Sequence, residues 1–284
     1  MSSFTFMGSQ YNTNDFLKDV VNMSKLLATN ARLINPLPEN VDLSEAEEKE
    51  VQDQIRAMMI LPPFALTDFW SAFAAHHLPQ LCTCLRALSH DTQPQALATL
   101  IQIFSLLPDP KEEPYFRRFL CHPTEPKGIP TLIAAAFYRG VAWKRPSGPG
   151  NICSLLIHCL LWANASLGDD RKASIDAEVR RALATKLGIL IEEDRFQLLD
   201  QLQRVEIERL HGMLRPIEAM PGDTYVTSTH QYLAGQLVYC ANKNCHAEAE
   251  MTCSRCKTVR YCGKKHQALH WKSGHKLRCF PPTF

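Results

Sequence analysis

Apolar residues recur at helical spacing through most of the first 220 positions, and strand-like alternation is almost absent there. The pattern starts at Asn12. Phe16, Leu17, Val20, Met23, Leu26 and Leu27 mark one face of an amphipathic helix, with Thr13 or Asn14 as its cap. Asn35-Pro36-Leu37-Pro38 is a loop. Ser44-Glu45-Ala46-Glu47 is a capping box that opens a helix expected to reach about Leu61 and to stop at Pro62-Pro63. Short helices are predicted from Thr67 through Trp70 and Phe73, and over His77–Leu88. Thr92-Gln93-Pro94 opens another, with Leu97, Leu100, Ile101, Phe104 and Leu107 on its apolar face. Glu112–Leu120 and Ile129–Tyr138 follow, then a loop at Pro146–Gly150. Asn151–Leu167 is nearly all apolar and is placed centrally; Ser174–Leu190 and Arg195–Leu214 are amphipathic.

Helices of this length joined by Pro/Gly breaks predict a mostly α fold with an N-terminal helical array; a solenoid-like stack of helix pairs is the lesser alternative, because no fixed repeat period emerges. The expected organisation is a loose N-terminus (1–11), a helical domain (12–220), a linker (221–239), a small module (240–279) and a tail (280–284).

Charge separates the module from the body. From Gln236 onward there are nine Lys/Arg against two Asp/Glu, a net +7, within a chain whose net charge is +2, so the body is acidic at −5. Six of the eleven cysteines lie in the module. The other five (Cys82, Cys84, Cys121, Cys153, Cys159) sit in apolar helical sequence, where free cysteine behaves as a small hydrophobe. The odd total and the absence of a signal-like start speak against a disulfide framework and for an intracellular protein, in nucleus or cytoplasm. Thr131–Trp143 and Ile152–Trp162 are broken by Arg139 and His158, so neither reads as a membrane span.

The chemistry is concentrated between Cys240 and Cys279. The spacing C-x4-C-x7-C-x2-C-x5-C-x3-H-x8-H-x3-C gives four ligand pairs: Cys240/Cys245, Cys253/Cys256, Cys262/His266 and His275/Cys279. Eight Cys/His donors suffice for two tetrahedral zinc ions. A module of roughly 40 residues rarely buries enough apolar surface to fold alone. Ordering its backbone costs about 1–2 kcal/mol per residue, and structural zinc returns about 10–16 kcal/mol per site. With four protein ligands at each ion, no position is left for substrate or activated water, which predicts structural rather than catalytic zinc. His246 and His270 lie near ligands but complete no pair. Thr258–Cys262 is expected as a strand and Lys264–Lys276 as a helix.

This stretch resembles a MYND zinc finger, by its eight ligands, by Tyr261-Cys262, and by His266-Gln267 followed by Trp271, His275 and Cys279. The resemblance covers about a seventh of the chain. It implies interleaved ligation: Cys240, Cys245, Cys262 and His266 around one ion, and Cys253, Cys256, His275 and Cys279 around the other. His266 departs from the family's usual Cys, which makes both sites Cys₃His, and the loaded module keeps a net charge of about +5. The x4 spacing of the first pair is also wider than the usual x2. MYND fingers bind other proteins through short proline-containing peptides, often P-x-L-x-P; the resemblance implies by matching positions that Ser254, Gln267 and Trp271 contact the peptide, with Trp271 equally readable as a packing anchor for the small helix. The chain itself holds no P-x-L-x-P.

The body offers no catalytic motif: no phosphate loop, no GxSxG and no HExxH, with Glu250 where the second His of an HExxH at His246 would stand. His76-His77 reads as a core or helix-end pair, and Cys82/Cys84 fall on opposite helix faces. The expectation is a non-enzymatic adaptor, with transcriptional regulation as one setting. Nucleic-acid binding through the basic module is the alternative. A lysine methyltransferase is the lesser one, since the finger lies at the end of the chain and no Asn-His-Ser-type signature precedes it.

Overall fold

A computed structural model describes residues 3–6 and 8–284. The chain opens with a hairpin of β1 (Ser3–Phe6) and β2 (Ser9–Asn12), not with a loose end as expected for 1–11. The signal was a short alternation: Phe4 pairs with Tyr11 across the hairpin, and both rings pack on Phe16. Gly8, at φ +79°, takes the left-handed turn position that other residues resist.

α1 (Thr13–Asn30) is capped by Asn12, whose side-chain oxygen accepts from the amides of Asn14 and Asp15, each at 3.0 Å. The cap therefore sits ahead of the Thr13 or Asn14 expected. α2 (Glu45–Met59) begins with the full Ser44/Glu47 capping box. α3 (Pro63–Ala87) unites the two helices expected from Thr67 and from His77. Pro63 occupies its first turn, where a missing N–H is no loss. Pro79 lies inside α3 and cannot donate to the carbonyl of Ala75. That carbonyl instead accepts the backbone N–H of Thr283, at 3.0 Å.

α4 (Pro94–Ser105), α5 (Pro114–Leu120) and α6 (Ile129–Tyr138) follow. α7 (Gly148–Trp162) starts inside the segment expected as a loop. Gly150 lets its first turn press against α9 (Gln201–Ala219): a Cβ there would lie 2.6 Å from the Gln203 Cα. Between them lies α8 (Ala177–Glu192). The helix expected over Arg195–Leu214 is divided, because Asp200 caps α9 after a 3-10 turn at Asp194–Leu198. The segment expected as a linker, 221–239, contains α10 (Thr224–Gly235), which packs on α7 and α9 through Val226 and Leu233.

α7 lies along α9 and meets α4, α6 and α10, while α1 lies along α3. No helix among the described residues is long and apolar enough to cross a membrane. Arg180 is fully buried in the body, bonded to Asp170 at 2.6 Å and to Glu218 at 2.5 Å.

Candidate metal centre

The C-terminal module is built on a two-strand hairpin. β3 (Met251–Thr252) pairs antiparallel with β4 (Arg260–Tyr261), a shorter strand than the Thr258–Cys262 expected. Backbone bonds tie the incoming chain to this hairpin: Ala241 N–H donates to the Arg260 carbonyl at 2.9 Å and Cys240 N–H to that of Ala247 at 3.0 Å. Between the strands the chain turns at Cys253–Cys256, with Lys257 in the left-handed region at φ 58°. α11 (Lys264–His270) follows Cys262 at once, so Cys262 and His266 lie one helical turn apart. The helix expected over Lys264–Lys276 is interrupted by a wide turn at Trp271–His275, where Gly274 has φ 142°, and ends as α12 (Lys276–Arg278). That break places His275 one turn before Cys279.

Two clusters result, each with all donor atoms within 4.8 Å of one another: Cys240, Cys245, Cys262 and His266, and Cys253, Cys256, His275 and Cys279. Four protein donors surround each centre. The Sγ atoms of Cys245 and Cys262, and those of Cys253 and Cys279, are both 3.8 Å apart. A tetrahedron with Zn–S bonds of about 2.3 Å has edges of about 3.8 Å, whereas a disulfide would bring sulfurs to about 2 Å. His266 turns Nδ1 toward Cys262 and Cys240, at 3.1 and 3.7 Å, while His275 turns Nε2 toward Cys256 at 3.7 Å. Geometry and donor chemistry fit two structural zinc ions. His246 and His270 belong to neither cluster; His270 instead meets the Tyr261 hydroxyl at 3.0 Å and stacks on the His275 ring.

The thiols do not ionise evenly without metal. Burial opposes ionisation of Cys256, but hydrogen bonds from His275, Thr258 and backbone amides outweigh it and pull the thiol down to about 5. Cys240 falls to about 7, burial again being outweighed by bonds from backbone amides and His266. Burial and the neighbouring thiolates push Cys279 upward, and burial with bonds to Cys245 and Cys240 raises Cys262 to about 11. A divalent cation at each centre offsets most of the charge of three thiolates held this close.

The second cluster reaches the body. Arg278 donates from Nε and Nη2 to Asp68 of α3, at 2.6 and 3.1 Å. Burial holds Asp68 above the usual carboxylate range, although the Arg278 guanidinium draws it down. The Tyr115 hydroxyl of α5 accepts from the Phe280 amide at 2.9 Å and donates to the Arg278 carbonyl at 3.2 Å. The pentapeptide 280–284, expected as a tail, lies along the body: Phe280 is buried against Tyr115 and His76, and Phe284 packs edge-on against Phe119. These body contacts left no local mark in the sequence apart from Pro79 inside a helical pattern.

Ser254 is exposed, and Gln267 and Trp271 are half-exposed. Gln267 and Trp271 are one turn apart on the same side of α11. The Trp271 ring also packs edge-on against His275 at 5.8 Å. His77 is buried beside Phe73 with its ring lowered to about 4 by burial, and Cys82 is enclosed.

Residues 238–279 match the family model of the MYND finger, and this segment is a MYND-type zinc finger. Among curated proteins, the chain is 34% identical over 87 residues to ubiquitin C-terminal hydrolase 15 of Oryza sativa subsp. japonica, covering 30% of this chain and 9% of the relative. It is 54% identical over 39 residues to ubiquitin carboxyl-terminal hydrolase 16 of Arabidopsis thaliana, 14% of this chain and 4% of that protein. It is 57% identical over 35 residues to programmed cell death protein 2 of Mus musculus, 12% and 10% of the two chains. The chain thus spans about a tenth or less of the length of these relatives, and what they share with it is the MYND region. No solved structure matches the chain.

Proposed function

We propose that the chain is a non-catalytic adaptor whose finger recruits other proteins through short proline-containing peptides, in a setting of transcriptional regulation. The observation that carries this reading is the closure of both donor sets. Each centre has four protein ligands, so zinc holds the module together and has no open position for chemistry. What the finger offers a partner is then its surface, with Gln267 and Trp271 half-exposed on one side of α11 and Ser254 exposed on the hairpin turn. An extended peptide gains backbone hydrogen bonds along a hairpin and specificity from side chains of this kind. The hydrolase relatives share the finger region, so their printed activity is not carried to this chain.

The test is a pull-down with the intact protein against Trp271→Ala. Partners held by the peptide face are lost from the variant; an unchanged partner list overturns this face as the binding surface.

A second reading, contact with nucleic acid, is favoured by one observation: all nine Lys/Arg of residues 236–284 are exposed. Phosphate attraction needs no base-specific contacts and weakens steeply with salt. Tight, salt-dependent binding to duplex DNA that Trp271→Ala leaves intact would favour this reading over the adaptor.

A further inference from the structure

We propose that Tyr115 and Asp68, two residues of the helical body, are positioning residues of the second zinc centre, so that the body sets the affinity of that centre for its metal. The inference rests on zinc occupancy and is independent of the peptide reading. Cys279 is the last ligand of the second set, and the residue on each side of it is gripped from the body. A single hydroxyl, that of Tyr115, bridges the peptide groups on both flanks: it accepts from the Phe280 amide and donates to the Arg278 carbonyl. The Arg278 side chain is held at two points by the buried carboxylate of Asp68. Tyr115 is itself fixed, because its own amide donates at 2.9 Å to Glu113, which in turn accepts from Ser71 of α3. Among the described residues, those flanking the ligands of the first donor set make no hydrogen bond to the body: Ala241 N–H donates to Arg260 and the Tyr261 hydroxyl meets His270, both within the finger. The two centres therefore differ in who orients their ligands.

Residues that orient metal ligands at one remove change affinity by about 10–100-fold when altered. The full chain, loaded with cadmium-113, gives one NMR signal per centre, and chelator titration then reads each affinity separately. In Tyr115→Phe, which removes one oxygen, and in Asp68→Asn, the second centre is expected to lose cadmium about tenfold or more sooner, with its chemical shift moved and the first signal unchanged. Asp170→Asn is the control. It weakens the Arg180 ion pair, whose partners are all body residues. If Tyr115→Phe does not fold, Arg278→Met carries the same test from an exposed side chain. Unchanged affinity in the variants, equal weakening of both centres, or an Asp170→Asn effect as large as that of Tyr115→Phe each overturns the proposal.

Discussion

Thr283 donates its backbone N–H to the carbonyl of Ala75 at 3.0 Å, across 208 residues, in the gap that Pro79 leaves in α3. A proline inside a helix normally costs about 3 kcal/mol, partly through the bond it cannot make. Here the C-terminal segment supplies the missing donor and carries Phe280 and Phe284 onto α3 and α5.

Pro79→Ala restores a helical donor to Ala75 and makes the Thr283 bond redundant. The thermal midpoint of the body is expected to rise while hydrogen exchange at the Thr283 amide speeds up. Unchanged protection of that amide would show that the tail is held without the proline gap.

Glu113 caps α5 from a fully buried position. Burial pushes its carboxyl up to about 7, against hydrogen bonds from Ser71 and the Tyr115 amide and the charge of Arg117. An unfolded glutamate titrates near about 4.3, so between these values the folded chain binds more protons than the unfolded one. The stability this group contributes is complete below the lower value and is lost as pH rises through the upper one. Glu113→Gln keeps an acceptor for Tyr115 and removes the titration. Relative to the parent, the variant is expected to gain about 1–2 kcal/mol between about pH 6 and about pH 8.5, where zinc stays bound. Denaturant curves that run parallel across this range would refute the assignment.

Zinc loading must release protons. Cys262, raised to about 11, and Cys279, raised by burial and neighbouring thiolates, are protonated in the metal-free chain at neutral pH. Calorimetry in buffers of different ionisation enthalpy is expected to show about one or more protons released per ion, with affinity falling as pH falls. Buffer-independent heats would contradict thiolate ligation.

Gly150 sits in the first turn of α7, where a Cβ would meet the Gln203 Cα at 2.6 Å. Alanine favours helix by about 1 kcal/mol, yet overpacking against backbone costs about 1–3 kcal/mol. Gly150→Ala is expected to lower the denaturant midpoint; a rise would mean that α7 and α9 do not approach this closely.

The legible features were local. The capping box at Ser44, the proline-opened α4 and the ligand pairs each depend on residues a few positions apart. So does the hairpin of Phe4 and Tyr11, but its period of two spans only four residues per strand, too few to stand out from irregular chain. α3 is one helix where the apolar spacing predicts two, from Thr67 through Phe73 and over His77–Leu88; Pro79 falls inside the second, and the donor that compensates it lies at Thr283. α10 buries only Val226 and Leu233 fully, too little for a periodic signal. The grip of Asp68 and Tyr115 on the residues around Cys279 spans 210 and 165 positions and has no pattern that a linear scan detects.

Zinc stoichiometry by native mass spectrometry tests the central assignment most directly. The intact chain is expected to carry two zinc ions, and Cys253→Ser and Cys262→Ser are each expected to retain one, with X-ray absorption showing three sulfurs and one nitrogen around each remaining ion. Fewer than two ions on the intact chain, or two ions retained by Cys253→Ser, would contradict two interleaved Cys₃His centres.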